Sequence, residues 1–139
     1  MRIHITQDQP DIDGFLNTRN FDITQLCQKY ECDELYCPEV LNYLSFNESQ
    51  TFFEMMAQWL APNTKVTIGG VDFYILAKTA MSRMIDLSTL NKIIFDRNSD
   101  FLSLHSISQI KELMIELGFK IQDINFDHMT GAFTIEALK

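Results

Sequence analysis

The chain is poor in the residues that mark several common kinds of functional site. Only five of its 139 residues are glycine, and none comes before Gly14. This excludes a glycine-rich loop directly after the first strand, where backbone would approach a nucleotide closely. Cys27, Cys32 and Cys37 match neither the paired spacing of zinc sites nor an even disulfide framework. They predict free, mostly buried thiols, and no metal site is predicted.

Basic residues and long apolar runs are also scarce. Eleven Lys and Arg, scattered along the chain, stand against nineteen Asp and Glu, for a net charge of -8. That balance repels phosphate backbones and disfavours nucleic-acid binding. No apolar run approaches the roughly 18 residues of a membrane span, and the N-terminus lacks the pattern of a signal peptide. We therefore expect no membrane partner, a cytoplasmic location and one domain over residues 1–139.

Alternating strands and helices are predicted by hydrophobic periodicity and turn residues. The predicted strands are 2–6, 15–18, 34–37, 66–68, 119–126 and 132–138, with the fourth ending at Gly69-Gly70. Asn47 with Gln50, and Ser106 with Gln109, have capping-box spacing before amphipathic runs. One or two helical turns are expected over residues 22–30, and a longer helix over residues 73–84. The methionines near 55 and those at 81 and 84 have helical spacing and are assigned to the core. Gly118 is the expected terminator of the last helix.

This order predicts an α/β fold with a mostly parallel sheet and a C-terminal antiparallel strand pair. Four local motifs accompany it: Gly14–Asn17, residues 39–45, the passage 59–68, and residues 113–120, which contain a Leu-Gly-Phe end. Together they resemble the class I S-adenosylmethionine-dependent methyltransferases, especially small ones that act on sugars or other small molecules. The resemblance covers nearly the whole chain and implies a Rossmann-like, methyltransferase-type sheet. Compared with the family, the region between the second and third predicted strands is short, so one edge strand is expected to be vestigial or lost.

The resemblance implies an S-adenosylmethionine site at the carboxyl ends of the parallel strands. Two departures fall there. The family's glycine loop is replaced by Gln7-Asp8-Gln9-Pro10, and Arg19 stands where the family has an acid that binds the ribose hydroxyls. Arginine offers donors and no acceptor. Cofactor binding is therefore expected to be weak or lost.

The candidate cofactor-binding residues are Thr6, Asp8, Arg19, Asp22 and Cys37. Asp22 takes the ribose acid's place if the loop shifts by three residues, and Asp8 then approaches the cofactor's amino group. Glu39 is a candidate general base or substrate-orienting residue, the alternative being a solvated turn acid. Tyr74 is a candidate for stacking on a ligand, the alternative being a half-core residue. No Asn-Pro-Pro-Tyr signature of amine methylation is present.

Three functions stay open on these observations. The leading hypothesis is a degenerate methyltransferase-like pseudoenzyme. It would serve as a non-catalytic binding or assembly module for a small molecule or a protein partner, and the partner could be a second copy in a homo-oligomer. The second is an active methyltransferase on a small molecule or sugar, aided mainly by positioning. The third is a structural subunit of a larger assembly, completed at its sheet edge by a neighbour.

Overall fold

The computed structural model describes residues 1–82, 84–92 and 101–139, which build a six-stranded sheet with helices packed on it. The strands are β1 (Arg2–Ile5), β2 (Leu16–Thr18), β3 (Glu34–Cys37), β4 (Lys65–Val71), β5 (Lys120–Phe126) and β6 (Ala132–Leu138). The helices are α1 (Phe46–Trp59), α2 (Phe73–Met81), α3 (Leu87–Asn91) and α4 (Ile107–Glu116). Short 3₁₀ turns lie at Ile23–Gln25 and Leu41–Tyr43. Among the described residues, no helix is long and apolar enough to cross a membrane.

The sheet order is β2-β1-β3-β4-β6-β5. The first four strands in this order run parallel, and β6 and β5 are antiparallel to their neighbours. The predicted fold class, α/β with a mostly parallel sheet and a C-terminal antiparallel pair, is confirmed. The short region between β2 and β3 contains a 3₁₀ turn and no further strand among its described residues. Strand β2, with only three residues, is therefore the edge of the sheet on this side.

One face of the sheet carries the core. Ile3 pairs in register with Leu35, Leu35 with Val66, and Val66 with Ala137, and all four are buried. Because side chains alternate along a strand, the residues between them point to the other face. That second face is polar where β1, β3 and β4 begin, because the Glu34 carboxylate pairs there with Arg2 at 2.7 Å and with Lys65 at 3.4 Å. The core-face residues form one cluster with these members of α1 and α4: Phe52, Phe53, Met56, Ile110 and Met114.

Helix α1 begins two residues earlier than the sequence indicated. The predicted cap at Asn47 with Gln50 is wrong: the Ser45 side chain accepts from the Glu48 amide, and the Glu48 carboxylate accepts from the Ser45 amide. Both pairs have the same spacing, and the extended backbone of Ser45 decides between them. Helix α4 is capped by Ser106 and ends at Glu116, and Gly118, whose φ is +89°, follows as its left-handed terminator, as predicted.

Two predictions around β4 are corrected. The strand does not end at Gly69-Gly70; it continues to Val71 because β6 pairs along its whole length. The helix that follows, α2, ends at Met81 and not at residue 84. The assignment of Met81 and Met84 to the core is also wrong, since both side chains are largely exposed. Arg83, inside the predicted helix, lies outside the described residues.

Buried His105 makes stability sensitive to acid. Its Nε2 contacts the Leu41 carbonyl at 3.1 Å and Ser103 Oγ at 2.7 Å. Burial lowers the pKa of His105 below its ordinary value, partly opposed by the Leu41 contact. The unfolded chain therefore binds more protons as the pH falls below about 6.5, and the free energy of unfolding drops from there towards the lower folded-state pKa.

We expect urea titrations to show a lower free energy of unfolding at pH 5.5 than at pH 7.5. His105→Gln should be less stable at pH 7.5 but should lose much of this pH dependence. His128→Gln is the matched control, because His128 is exposed. Equal pH dependence of the free energy of unfolding in both variants would contradict the assignment of this dependence to His105.

Candidate functional site

A crevice lies at the carboxyl ends of β1, β3 and β4, the edge where open α/β sheets bind ligands. Its volume is about 440 Å³. The residues that line it come from the loop after β1, the turn after β3, the end of β4, the segment before α4 and the start of β6: Asp8, Gln9, Pro38, Glu39, Asn42, Tyr43, Gly70, Val71, Phe101, Thr130 and Ala132. Asp8 and Glu39 are its charged members, so this lining is acidic.

The Glu39 carboxylate is hydrogen-bonded to the loop that follows β1. Its Oε1 accepts from Thr6 Oγ1 at 2.9 Å and more weakly from the Asp8 amide at 3.4 Å, and its Oε2 accepts from Gln9 Nε2 at 3.1 Å. Thr6 Oγ1 in turn accepts from the Gln9 amide at 2.9 Å. The loop after β1 is thus held by a side-chain network that closes on the Glu39 carboxylate.

Asp8 lies against the opposite wall of the crevice. Its Oδ2 accepts from the Tyr43 hydroxyl at 2.9 Å, and the Tyr43 ring meets Phe101 edge-on at a centroid distance of 5.3 Å. Thr6, Asp8 and Glu39, which end or follow parallel strands, therefore lie together at this edge of the sheet.

Arg19 and Asp22 lie beside a second hollow of about 550 Å³, between the end of β2 and the start of α1. The Asp22 carboxylate caps the 3₁₀ turn: Oδ1 accepts from Thr24 N at 3.1 Å and Thr24 Oγ1 at 2.6 Å, and Oδ2 accepts from Gln25 Nε2 at 2.9 Å. Arg19 is exposed and its carbonyl receives a long contact from Gln7 Nε2. These three hydrogen bonds occupy most of the acceptor sites of the Asp22 carboxylate.

Cys37 and Tyr74 do not join the crevice. The Cys37 side chain is wholly buried in the core, and burial raises the pKa of its thiol far above the ordinary range. Burial likewise raises the pKa of Cys32 to about 11, so neither group is an activated thiolate. Tyr74 is 72% exposed and lines a separate cavity beside α2, so it is not a half-core residue either. All three cysteines are free, and no three His, Cys, Asp or Glu residues in the described part of the chain are grouped to hold a metal.

Asn42 is a residue of the crevice that the sequence reasoning missed. Its buried amide accepts from Val71 N at 2.7 Å and donates to Ser103 O at 3.1 Å, so it ties the turn after β3 to the end of β4. A Cβ on Gly70 would lie 2.7 Å from Asn42 Oδ1. Gly70, which leaves room for this amide, is the one local signal of the contact, but its sequence context predicts only a strand end.

We expect Glu39→Ala to loosen the loop after β1, because it removes the acceptor of Thr6 Oγ1 and Gln9 Nε2. The loss of stability should be modest, about 1 kcal/mol, since the loop is largely solvated. Protection of the Asp8 amide from hydrogen exchange should fall about tenfold. Glu39→Gln, which keeps one acceptor oxygen, is the matched control and should retain most of the protection. Unchanged exchange in Glu39→Ala would show that the network does not hold the loop.

Comparisons with known proteins identify the fold. No protein-family model matches the chain, and no curated protein does. Among solved structures, it is similar to an S-adenosylmethionine-dependent methyltransferase from Archaeoglobus fulgidus, with TM-score 0.61, 10% identity and coverage of 91% of this chain and 68% of that one. It is also similar to the magnesium protoporphyrin IX methyltransferase ChlM from Synechocystis PCC 6803 with bound SAH, with TM-score 0.55, 15% identity and 90% of this chain covered.

A third similar structure is the complex between the Haloferax volcanii Trm112 methyltransferase activator and the putative methyltransferase, with TM-score 0.58, 12% identity and 93% coverage of this chain. The chain spans 50% of the Synechocystis protein's length and 63% of the Haloferax one's. At such identities the similarity establishes architecture. The chain has the fold of the class I methyltransferases.

Proposed function

We propose that this methyltransferase-like chain has lost or weakened cofactor binding and acts as a non-catalytic binding or assembly module. The observation that carries the proposal is the Glu39 carboxylate, which takes up side-chain and backbone donors of the loop after β1. An incoming cofactor would have to break these bonds and add its own carboxylate to an acidic crevice. S-adenosylmethionine therefore fits the residues present poorly.

The second hollow supports the same proposal. The ribose hydroxyls need acceptors, whereas Arg19 supplies donors only and most acceptor sites of the Asp22 carboxylate are taken by Thr24 and Gln25. Each lost contact to a charged group is worth about 1.5–3 kcal/mol, and two such losses lower affinity by two or more orders of magnitude.

Isothermal titration of the full chain with S-adenosylmethionine and S-adenosylhomocysteine tests this proposal. We expect no saturable heat, which corresponds to Kd values above about 1 mM. Micromolar binding of either compound would overturn it. In that case Asp22→Ala separates the possibilities, because an Asp22 that has become the ribose acid would lose binding on substitution while the chain stays folded.

An active methyltransferase on a small molecule or sugar is the second candidate. It is favoured by the open crevice of about 440 Å³, whose Asp8 and Glu39 carboxylates would attract a sulfonium cation. Transfer of a labelled methyl group from S-adenosylmethionine to a pool of small molecules would establish it and exclude the non-catalytic module.

Assembly with a protein partner or a second copy is the third candidate, favoured by the exposed three-residue edge strand β2 with its exposed Leu16. Light scattering over a concentration series distinguishes a self-associating chain from a monomer. If the chain is a monomer at every concentration, self-association is excluded and this candidate requires a different protein as the partner.

A further inference from the structure

The cavity that Tyr74 lines lies between α2, the start of α4 and the tip of the β5–β6 hairpin, and its volume is about 860 Å³. It is larger than the crevice and the second hollow, and it shares no lining residue with either of them. Its volume falls within the range of about 300–1,000 Å³ that is usual for small-molecule sites. The cavity therefore has room for a ligand of its own.

Hydrogen bonds within the chain hold the walls of this cavity together. The Asp72 carboxylate accepts from Ile75 N in α2 and from Ile107 N in α4. Thr79 Oγ1 donates to the His128 carbonyl at 2.7 Å, which joins α2 to the hairpin tip. Because the walls are joined in this way, a ligand does not have to order them when it binds.

Large apolar side chains of the lining are left uncovered. Tyr74 is 72% exposed, Met84 62%, Phe126 49% and Met129 42%. They come from two parts of the chain that are distant in sequence, and they line one cavity. Exposed apolar side chains gathered in one place indicate a binding site, whereas scattered single ones do not. The flexible methionine side chains can adapt to the shape of a ligand. The lining therefore favours a ligand with an apolar body.

Lys78 supplies the accessible charge of the lining. Its side chain is exposed and has no hydrogen-bond or ion-pair partner among the residues that the structure describes. The carboxylate of Asp72 is 4% exposed as a residue and is already held by two helix amides. The His128 ring packs edge-on against Phe126 at a centroid distance of 4.8 Å and adds no negative charge in either protonation state. The described lining thus presents one accessible ammonium group.

The hydroxyl groups of the lining are compatible with the same kind of ligand. Thr79 and Ser82 donate their hydroxyl protons to backbone carbonyls. Tyr74, Ser106 and Ser108 carry hydroxyls that can donate as well as accept. Because the hydroxyls suit either a donor or an acceptor, the lysine determines the charge of the ligand. A single ammonium group matches a single monovalent anion, such as a carboxylate.

We propose that this cavity binds an aliphatic monocarboxylate of about eight carbons. Its carboxylate accepts from Lys78 Nζ, and its chain covers the exposed apolar side chains of the lining. At about 30 Å³ for each water-sized group, the ten non-hydrogen atoms of octanoate occupy roughly 300 Å³, so the cavity accommodates it. We expect a Kd of roughly 1 mM. The proposal does not depend on whether S-adenosylmethionine binds in the crevice.

The test uses the full chain labelled with ¹³C in its methionine methyl groups and titrated with sodium octanoate at neutral pH. We expect the methyl resonances of Met84 and Met129 to shift saturably. Met81 is the internal control, because it is 85% exposed on the same helix as Lys78 and does not line the cavity. No saturable shift up to about 10 mM octanoate, or an equal shift at Met81, would overturn the proposal.

Two further compounds test the charge and the chain separately. n-Octylamine has the same length and the opposite charge, and the chain's net charge of -8 would favour it if general attraction governed binding. We expect it to bind at least about tenfold more weakly than octanoate. Butanoate keeps the carboxylate but has four methylenes fewer to bury, and we expect at least about tenfold weaker binding. Equal affinity for either compound would overturn the proposal.

Lys78→Gln should weaken octanoate binding about fivefold by removing the counter-charge at an exposed position. Lys111→Gln is the matched control: Lys111 is an exposed lysine of α4 and does not line the cavity, so its effect should stay within about twofold. Equal weakening in both variants would mean that the overall charge, and not this site, governs binding, and would overturn the proposal.

Discussion

Gly69→Ala is expected to lower the free energy of unfolding by at least about 3 kcal/mol. A Cβ at this position would lie 2.0 Å from the Pro38 carbonyl oxygen and 2.5 Å from that of Phe133. Both neighbours are backbone atoms, one in the residue that follows β3 and one in β6, so neither can rotate away as a side chain would. The sheet would have to open where Pro38 leads into Glu39 and the crevice.

Urea denaturation of Gly69→Ala beside Gly118→Ala measures this effect against the same chemical change elsewhere. At Gly118 the added Cβ has only Lys139 Nζ nearby, at 3.8 Å, and the cost arises from its positive φ. About 1 kcal/mol is expected for Gly118→Ala. If Gly69→Ala were no more destabilising than Gly118→Ala, the close approach of the Pro38 and Phe133 carbonyls to Gly69 would be contradicted.

Asp72→Ala is expected to lower the free energy of unfolding by about 2–4 kcal/mol, because one buried carboxylate caps two helices. Its Oδ1 accepts from Ile75 N at 2.9 Å at the start of α2, and its Oδ2 accepts from Ile107 N at 2.7 Å at the start of α4. Alanine leaves both amides without these acceptors, in a site where Asp72 itself is 4% exposed.

Asp86→Ala is the control for Asp72→Ala, since Asp86 caps only α3, through the Thr89 amide, at the surface. Thermal or urea unfolding should show a clearly smaller loss for Asp86→Ala. Asp72→Asn should fall between wild type and Asp72→Ala, because an amide keeps one acceptor and presents donors to the second helix. Similar losses in Asp72→Ala and Asp86→Ala would remove the argument that Asp72 joins α2 to α4.

The sequence predicted the strands and the last helix closely because their signals are local. Residues 132–138 alternate buried and less buried positions along β6, and Gly118 follows α4 where a left-handed residue is needed. The errors arose where two local signals compete or where a distant strand decides. Ser45 and Asn47 both have capping-box spacing, and Gly69-Gly70 reads as a strand end until β6 pairs with it.

The candidate site was predictable only in part, for a related reason. Thr6, Asp8 and Glu39 meet because each follows or ends a parallel strand, which the sequence pattern indicates. Which donors satisfy Glu39 depends on the loop conformation between residues 6 and 10. Tyr74 comes soon after β4 in the chain, but α2 carries it to another cavity. His4 Nδ1 contacts the Asn17 amide, thirteen positions away, while its buried Nε2 has no partner among the residues that the structure describes, and no spacing rule reveals either fact.

The most direct test of the proposed loss of cofactor binding is a crystal structure of the chain grown with saturating S-adenosylhomocysteine. We predict that Glu39 keeps its contacts with Thr6 Oγ1, the Asp8 amide and Gln9 Nε2, with no density for the compound in the crevice. Density for S-adenosylhomocysteine across the ends of β1 and β3, with the Glu39 carboxylate displaced from the loop, would contradict the proposal.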